Sequence, residues 1–275
     1  MQPEPGLAAT MDPVPDHGED SYKGLGRMTG RRALITGGDS GIGRAAAIAY
    51  AREGAHVVIN HLPDEDRDAT SLVELLRGEG LKADALPGDI SDEAFCQKLV
   101  STAAEIMGGI DVLVNNAGKQ VAQGSIEDIT TDQFDATFRT NVHAMFWLTK
   151  AALHHMQPGA AIINTTSVQG YDPSPTLMDY AMTKYAIIGF TKALAAQLAD
   201  RGIRVNGVAP GPFWTPLQPS HGQPAEKLKN FGKQSAFGRP GQPAEIASTY
   251  VFLATQESGY MTGEIVGVTG GNPIH

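Results

Sequence analysis

The chain has 275 residues, of which 41% are hydrophobic and 7% aromatic, a balance typical of one globular domain rather than several. Its 30 acidic residues outnumber 21 lysines and arginines, and the net charge of −9 disfavours nucleic acid or an anionic membrane as a partner. Cys96 is the only cysteine, so an intrachain disulfide is excluded. With no long apolar run and no basic-then-apolar leader, we expect neither a membrane span nor a signal peptide, and a cytoplasmic location is the default.

Residues 1–30 differ in composition from the rest of the chain. They contain four prolines, several glycines and five acidic residues, and they show neither the two-residue nor the 3.6-residue period. We interpret them as an arm attached to a single domain formed by residues 31–275. Two roles are open for this arm, namely a strap across a neighbouring subunit or a flexible tail.

From residue 31 onward, short apolar runs alternate with longer helical patterns. Seven runs predict strands, at Ala33–Thr36, His56–Asn60, Ala83–Leu86, Val112–Asn115, Ala161–Thr165, Arg204–Ala209 and Ile265–Val268. Six stretches predict helices, near Ile42–Glu53, Asp64–Gly78, Asp92–Met107, Thr131–Met156, Asp179–Arg201 and Pro243–Ala254. Because several strands are apolar on both faces, the sequence predicts an α/β protein with a Rossmann-like, doubly wound, seven-stranded parallel sheet in three layers.

The segment from residue 210 to residue 242 interrupts this alternation. It is rich in proline and glycine and too long for an ordinary connection, so it is either a lid over a site or a disordered insert. Four apolar side chains favour the lid, namely Phe213, Trp214, Leu217 and Phe231. We expect short helical pieces around Ala225–Phe231.

A glycine-rich loop follows the first predicted strand and leads into the first predicted helix. Thr36–Gly43 reads TGGDSGIG. Glycine lets the backbone turn tightly and approach a pyrophosphate, and a helix N-terminus offers free N–H groups to an anion. A plain glycine-rich turn is the simpler interpretation of such a loop, but the strand before it and the helix after it favour dinucleotide binding.

This loop is the first of several motifs that occur in order along the chain. The others are Asp89, Asn115-Asn116-Ala117-Gly118, Asn141, Ser167, Tyr180-x-x-x-Lys184 and Pro210-Gly211-x-x-x-Thr215. With these motifs, the sequence from about Tyr22 to Gly271 resembles the short-chain dehydrogenases/reductases. The arm and residues 30–49 are similar to the bacterial glucose/ribitol-dehydrogenase-like members of that family.

The resemblance implies an enzyme that interconverts an alcohol and a carbonyl, such as an aldehyde, ketone or sugar, with NAD or NADP. Tyr180 would exchange a proton with the substrate oxygen, and Lys184 would lower the pKa of Tyr180 while binding the nicotinamide ribose. Ser167 would hold the same oxygen, and Asn141 would keep a proton-relay water in place.

The spacing of Tyr180 and Lys184 makes physical sense without the resemblance. Four residues apart on a helix, they lie on one face. Bringing a phenol from a pKa of about 10 to about 7 requires roughly 4 kcal/mol, which one ammonium about 4 Å away nearly supplies at an effective dielectric of about 20. A half-buried tyrosine beside a solvated lysine is the simpler interpretation of this pair alone, and only the other motifs favour catalysis.

The resemblance also implies a set of cofactor-binding residues. They are Gly37, Asp39, Ser40, Gly41, Ile42, Gly43, Asn60, His61, Asp89, Ile90, Asn115, Ala117, Gly118, Tyr180, Lys184, Pro210, Gly211 and Thr215. The end of the second strand, Asn60-His61, offers neither the carboxylate that binds the ribose of NAD nor the arginine that accepts the 2′-phosphate of NADP. Asp39 would repel that phosphate, which favours NAD. The acidic run Asp64–Asp66 adds negative charge, although a solvated helix start explains it more simply.

Substrate contacts are expected from Gln169, Tyr171, Met178 and Trp214, each of which is equally suited to packing. We expect no metal site. The resemblance implies a homotetramer, and the helix from Thr131 carries an apolar stripe suited to the core or to an interface, formed by Phe134, Phe138, Val142, Met145 and Phe146.

Two alternatives to this enzyme differ in what they require of the sequence. A catalytically silent dinucleotide-binding sensor or scaffold usually lacks the tyrosine or the lysine, and this chain has both. A sugar-nucleotide epimerase or dehydratase typically needs a larger C-terminal substrate domain than this chain has room for.

Overall fold

Seven strands form a parallel sheet in the computed structural model, which describes residues 1–274. The strands are β1 Arg32–Thr36, β2 His56–His61, β3 Ala83–Pro87, β4 Val112–Asn115, β5 Ala161–Thr165, β6 Arg204–Pro210 and β7 Ile265–Val268. Their order is β3-β2-β1-β4-β5-β6-β7, and every neighbouring pair is parallel. Because the order reverses between β1 and β4, a crevice opens at the carboxyl ends of these strands, where such sheets bind ligands.

Helices cover both faces of the sheet. They are α1 Gly41–Arg52, α2 Asp66–Gly78, α3 Glu93–Met107, α4 Thr131–Phe138, α5 Ala144–Ala152, α6 Met178–Leu198, α7 Ala225–Leu228 and α8 Ala244–Ala254. One apolar cluster packs α1, α2 and α8 on one face, and a second packs α3, α5 and α6 on the other. The predicted three-layer, doubly wound Rossmann-like fold is confirmed. Among the described helices, none is both long enough and apolar enough to cross a membrane.

The helix predicted from Thr131 to Met156 is interrupted. A π-type turn, Arg139–His143, separates α4 from α5, and within it the N–H of Ala144 bonds to the carbonyl of Arg139. The apolar spacing does not reveal this turn, because one extra residue in a single turn barely changes the period. Such turns are frequent at functional sites, and this one contains Asn141.

The connection between β6 and α8 contains little regular structure. A π-type turn spans Gln218–Gly222, and α7 lies within the stretch expected to be helical. The two ends of the connection meet, because the N–H of Trp214 bonds to the carbonyl of Gly241 at 2.9 Å and Phe213 pairs with Gly241. We call residues 210–242 the 210–242 segment.

The arm, residues 1–30, lies against the surface of its own chain. Its last part is fixed by the fully buried carboxylate of Glu53, which accepts hydrogen bonds from the N–H groups of Leu25 and Arg27, the Tyr22 hydroxyl and the Arg27 guanidinium. Burial raises the pKa of Glu53, but these donors outweigh it and lower the pKa to about 2. The carboxylate therefore stays charged and holds the arm to the end of α1.

Candidate active site

A cleft of about 1070 Å³ lies at the carboxyl ends of the strands, a size suited to a small molecule or cofactor. Its wall includes most of the predicted site residues, namely Gly37, Asp39, Ser40, Gly41, Ile42, Asn60, His61, Asp89, Ile90, Ala117, Gly118, Ser167, Gln169, Tyr180, Lys184, Pro210, Gly211 and Thr215. The fold therefore brings together residues that are up to 178 positions apart in the sequence.

Gly43 and Asn115 support the cleft from behind instead of lining it. A Cβ on Gly43 would lie 2.0 Å from the carbonyl oxygen of Gly37, so only glycine allows α1 to start this close to the loop. The Asn115 amide donates to Thr149 Oγ1 at 3.2 Å and to Asn164 Oδ1 at 2.9 Å. Because these bonds hold the amide within the sheet interior, the prediction that Asn115 contacts the cofactor is not supported.

Asn116 lines the cleft although the sequence analysis did not include it among the site residues. Its Nδ2 donates to the carbonyls of Thr36 and Gly37 at 3.0 and 3.1 Å, and Thr36 Oγ1 accepts from the N–H groups of Asn116 and Ala117. These bonds join the glycine loop to the end of β4. Both residues belong to motifs found in the sequence, but a motif does not show which of its members face the cleft.

Three of the four substrate candidates lie away from the cleft wall. The Trp214 indole N–H donates to the carbonyl of Pro13 at 2.7 Å, and its ring packs 6.4 Å from that of Phe231, so the side chain supports the arm. Met178 is 39% exposed, and Tyr171 is half-buried in the turn before α6. Of the four candidates, Gln169 is therefore the one that lines the cleft, and substrate contact by the others stays a prediction.

Ser167, Tyr180 and Lys184 meet at the cleft, each more than nine-tenths buried. Ser167 follows β5, and its hydroxyl hydrogen-bonds the Tyr180 phenol. Lys184 lies one helical turn beyond Tyr180, and its Nζ is 5.3 Å from the centre of the phenol ring. The Lys184 ammonium donates to the carbonyl of Thr165 at 2.9 Å, which fixes its position beside the ring.

Burial controls the ionisation of Tyr180 and Lys184. It raises the pKa of Tyr180 to about 12 against a smaller opposing effect of the Ser167 hydrogen bond, and it lowers the pKa of Lys184 to about 7. At pH 7 the Tyr180 phenol is therefore protonated and neutral, and Lys184 is close to the midpoint between its charged and neutral forms. The predicted lowering of the Tyr180 pKa toward 7 by Lys184 is not found, because burial of the phenol dominates its pKa.

Asn141 lies behind the cleft wall, in the π-type turn. Its Oδ1 accepts from the N–H of Lys119 at 2.7 Å, and its Nδ2 donates to the carbonyl of Lys119 and to Thr183 Oγ1. Thr183 in turn donates to the carbonyl of Tyr180 at 2.6 Å. Because both amide hydrogens are used, they are not free to hold the predicted relay water, and the side chain instead connects residue 119 to α6.

Asp179 is a buried carboxylate beside Tyr180 that the sequence analysis missed. It accepts from Thr137 Oγ1 at 2.8 Å, from Gln133 Nε2 at 3.1 Å and from the N–H of Tyr180 at 2.8 Å. These bonds tie α4 to the first turn of α6 and so position Tyr180. The only sequence signal for Asp179 is an acidic residue next to the tyrosine.

At the other end of the cleft, three carboxylates lie close together. Asp39 is 1% exposed and its Oδ2 has no hydrogen-bond partner among the described residues. Burial raises the pKa of Asp39 to about 6, and burial together with the charge of Asp39 raises the pKa of Glu65 to about 8. Asp68 lies near enough to raise both pKa values further. In the part of the chain that the structure describes, no lysine or arginine side chain bonds to these carboxylates.

Several of these features fit a dinucleotide. The first N–H groups of α1 have no side-chain cap, so they are available to a pyrophosphate. A Cβ on Gly37 would lie 3.0 Å from Ala117 Cα, and one on Gly41 would lie 3.1 Å from Thr215, so larger residues would crowd the loop. The unpartnered Asp39 Oδ2 is an acceptor of the kind that binds a ribose hydroxyl.

Comparisons with known proteins agree with this arrangement. A family model described as enoyl-(acyl carrier protein) reductase matches residues 37–272. The uncharacterized oxidoreductase YhxD of Bacillus subtilis is 58% identical over 275 residues, covering 99% of this chain and 92% of that protein. The glucose and ribitol dehydrogenase of Daucus carota is 44% identical over 276 residues, covering 98% of this chain and 96% of that protein.

A solved structure decides the family. The crystal structure of a short-chain dehydrogenase from Burkholderia cenocepacia in complex with NADP matches with a TM-score of 0.82 at 35% identity, covering 89% of this chain and 98% of that chain. The chain belongs to the short-chain dehydrogenase/reductase family. The resemblance found in the sequence is thereby confirmed, and this short-chain dehydrogenase/reductase is a member of an oxidoreductase family with relatives that bind NADP.

Proposed function

We propose that this short-chain dehydrogenase/reductase interconverts an alcohol and a carbonyl by hydride transfer, with Tyr180 as the acid and base. The observation that carries the proposal is that Ser167, Tyr180 and Lys184 share the wall of a cleft that also contains the glycine loop. The substrate is a small alcohol, aldehyde, ketone or sugar, and Gln169 is the residue of the wall that we expect to contact it.

Tyr180 acts through its protonated form. Burial holds the phenol neutral, so Tyr180 gives its proton to a carbonyl oxygen during reduction and recovers it during oxidation. Ser167, already bonded to the phenol, holds the same oxygen. A proton on Lys184 stabilises the phenolate as it forms, because opposite charges interact strongly in a buried site.

The cofactor would lie along the rest of the wall. Ser40, Gly41 and Ile42 would hold its pyrophosphate at the start of α1, and Tyr180 and Lys184 would hold the nicotinamide ribose. When bound, the dinucleotide donates or accepts the hydride, and in its oxidised form it adds a positive charge to the site.

We propose NAD as the preferred cofactor. The carboxyl groups of Asp39 and Glu65 face the cleft without a bonded cation. With a pKa of about 6, Asp39 is mainly ionised at pH 7, so a 2′-phosphate beside it would add like charge. The NADP bound to the Burkholderia cenocepacia relative points to the other choice, so the preference needs a direct measurement.

We extend the proposal to a cytoplasmic homotetramer. Phe146, Met182 and Tyr185 on α5 and α6 are 47%, 46% and 70% exposed, and such exposed apolar side chains suit an interface between copies. Cys96 is buried and free, which suits a reducing compartment. Sedimentation at micromolar concentration should give a tetramer, and a monomer would contradict this part of the proposal.

The experiment that tests the proposed reaction is Tyr180→Phe, with Tyr260→Phe as a matched control at a fully exposed position. Reduction of aldehydes, ketones and aldoses should be assayed with NADH and NADPH. Tyr180→Phe should lose about 100-fold to 10,000-fold in kcat while it still binds the dinucleotide, because it lacks only the transferable proton. Tyr260→Phe should keep its activity. Equal turnover by Tyr180→Phe and the wild type would contradict the assignment of the acid and base.

A further inference from the structure

The first residues of the arm reach the cleft. We call Gln2–Pro13 the strap. Glu4, Pro5 and Gly6 of the strap form part of the cleft wall, together with the glycine loop and Lys184. The strap is therefore within reach of whatever the cleft binds.

One side of the strap rests on the 210–242 segment. The N–H of Gln2 bonds to the carbonyl of Pro219 at 2.9 Å, and the Trp214 indole donates to the carbonyl at the end of the strap. Gly6 packs closely on the same segment, because a Cβ built on it would lie 2.9 Å from the carbonyl oxygen of Pro216 and 3.0 Å from Ser220 Cβ.

The other side of the strap is bound to α2, beside the carboxylates at the end of the cleft. The N–H groups of Ala8 and Ala9 donate to the Asp68 carboxylate at 2.6 and 3.4 Å. The main-chain carbonyls of Asp68 and Asp39 both accept from the guanidinium of Arg44. Asp68 therefore links the strap to the loop that precedes α1.

A third contact joins the strap to the residues behind the catalytic wall. The Glu4 carboxylate pairs with the Lys119 ammonium, and the main chain of Lys119 is bonded on both sides to Asn141. A partly exposed ion pair contributes little stability, so the main effect of this pair is to fix where the strap lies. It holds Glu4 of the strap against Lys119, which lines the cleft.

We propose that the strap is a binding element of the dinucleotide cleft, which closes over the cleft and must separate from at least one wall before a dinucleotide enters or leaves. Its contacts are with the 210–242 segment, Asp68 and Lys119 of the same chain, so closure needs no neighbouring subunit. This inference rests on the proposed function, because it assigns the cleft to a dinucleotide.

A reversible crosslink tests the strap in the full-length protein. The Cβ positions of residues 6 and 220 are close enough that a shift of about half an ångström would bring them to disulfide distance. The double variant Gly6→Cys/Ser220→Cys should therefore form a disulfide on oxidation, and the buried Cys96 should not compete. Ser220→Cys alone, treated with the same oxidant, is the control.

Rates of NADH and NADPH binding and release should be measured by stopped-flow fluorescence in the oxidised and reduced double variant. We expect oxidation to slow both entry and release of the bound dinucleotide by at least about tenfold, because the strap can no longer lift, and reduction to reverse the effect. The control should show no dependence on oxidation.

The possible outcomes distinguish a failure of the proposal about the strap from a failure of the proposed function. Equal rates in the oxidised and reduced forms, with the crosslink shown complete by thiol titration, would overturn the role of the strap alone. Failure of the two cysteines to crosslink would contradict its position over the cleft. If the reduced double variant and the wild type bound neither dinucleotide, the proposed function would fail, and the inference with it.

Discussion

The two ends of the cleft both bury ionisable groups, but these groups differ in their hydrogen-bond partners and in the charges beside them. At one end, Tyr180 is bonded to Ser167, and Lys184 to the carbonyl of Thr165. At the other end, Asp39 has an unpartnered oxygen and Glu65 faces like charges. Burial favours the neutral form at both ends, but only at the first end does a hydroxyl group, that of Ser167, lie beside the buried acid. The first end, with Ser167, Tyr180 and Lys184, is therefore suited to reaction, and we call it the reaction end. The second, with Asp39 and Glu65, is suited to selection of the ligand by charge, and we call it the selection end.

Removing the cation from the reaction end should have the largest effect. Lys184→Met removes the charge that stabilises the phenolate of Tyr180, so we expect kcat to fall by about 100-fold to 1,000-fold. Lys192→Met, which changes an exposed lysine on the same helix, is the control and should keep its kcat. Steady-state kinetics on the best substrate of the panel check this, and a loss of less than about threefold would show that Lys184 is not needed.

Removing a carboxyl group from the selection end should change the preference between NADH and NADPH more than it changes the reaction rate. At pH 9, above the pKa of about 8 at which Glu65 ionises, Glu65→Gln should shift the ratio of NADPH affinity to NADH affinity about tenfold toward NADPH, which corresponds to about 1.4 kcal/mol. Glu74→Gln, at an exposed position of α2, should leave the ratio unchanged. Calorimetric titration measures both affinities, and an unchanged ratio in Glu65→Gln would remove this carboxylate from cofactor selection.

The pKa of Glu65 also predicts a pH dependence of stability. A carboxyl with a pKa raised from 4.5 to about 8 by folding binds more protons in the folded chain, so the free energy of unfolding decreases as pH rises through that range. Glu65→Gln removes this loss. The Tm of the variant should therefore exceed that of the wild type by about 2–4 °C at pH 8 and by less at pH 5. The same difference at both pH values would contradict the raised pKa.

The lowered pKa of Lys184 predicts that stability changes with pH in the opposite direction. Its pKa is lowered from 10.5 to about 7 in the folded chain, so the unfolded chain binds more protons between these values and stability rises with pH there. In Lys184→Met this rise should be absent. Thermal unfolding of both proteins between pH 7 and pH 10 measures it, and parallel curves for the two proteins would show that Lys184 titrates normally.

The sequence predicted the sheet and the reaction end because both depend on local patterns. Apolar runs defined the strands, and Tyr180 and Lys184 are one helical turn apart. The interruption around Asn141 left no trace in the apolar period. Asp179 was missed because its partners, on α4, are more than 40 residues away in the chain.

The selection end was harder to predict because the fold, not a motif, assembles it. The acidic run at residues 64–66 was more simply explained as a solvated helix start, but Glu65 turns toward Asp39 and the cleft. Trp214 was assigned to the substrate because an aromatic in a long loop suits a cavity wall. In the structure its indole N–H instead donates to the carbonyl of Pro13 in the strap, a contact between residues about 200 positions apart.

The cofactor preference is measured by calorimetric titration of the wild-type protein with NADH and, separately, with NADPH at pH 7. We expect that NADH binds and that its affinity exceeds that of NADPH by about tenfold or more, because the ionised Asp39 carboxylate disfavours the 2′-phosphate. Tighter binding of NADPH would contradict the role assigned to the carboxylates. Binding of neither dinucleotide would contradict the assignment of the cleft itself.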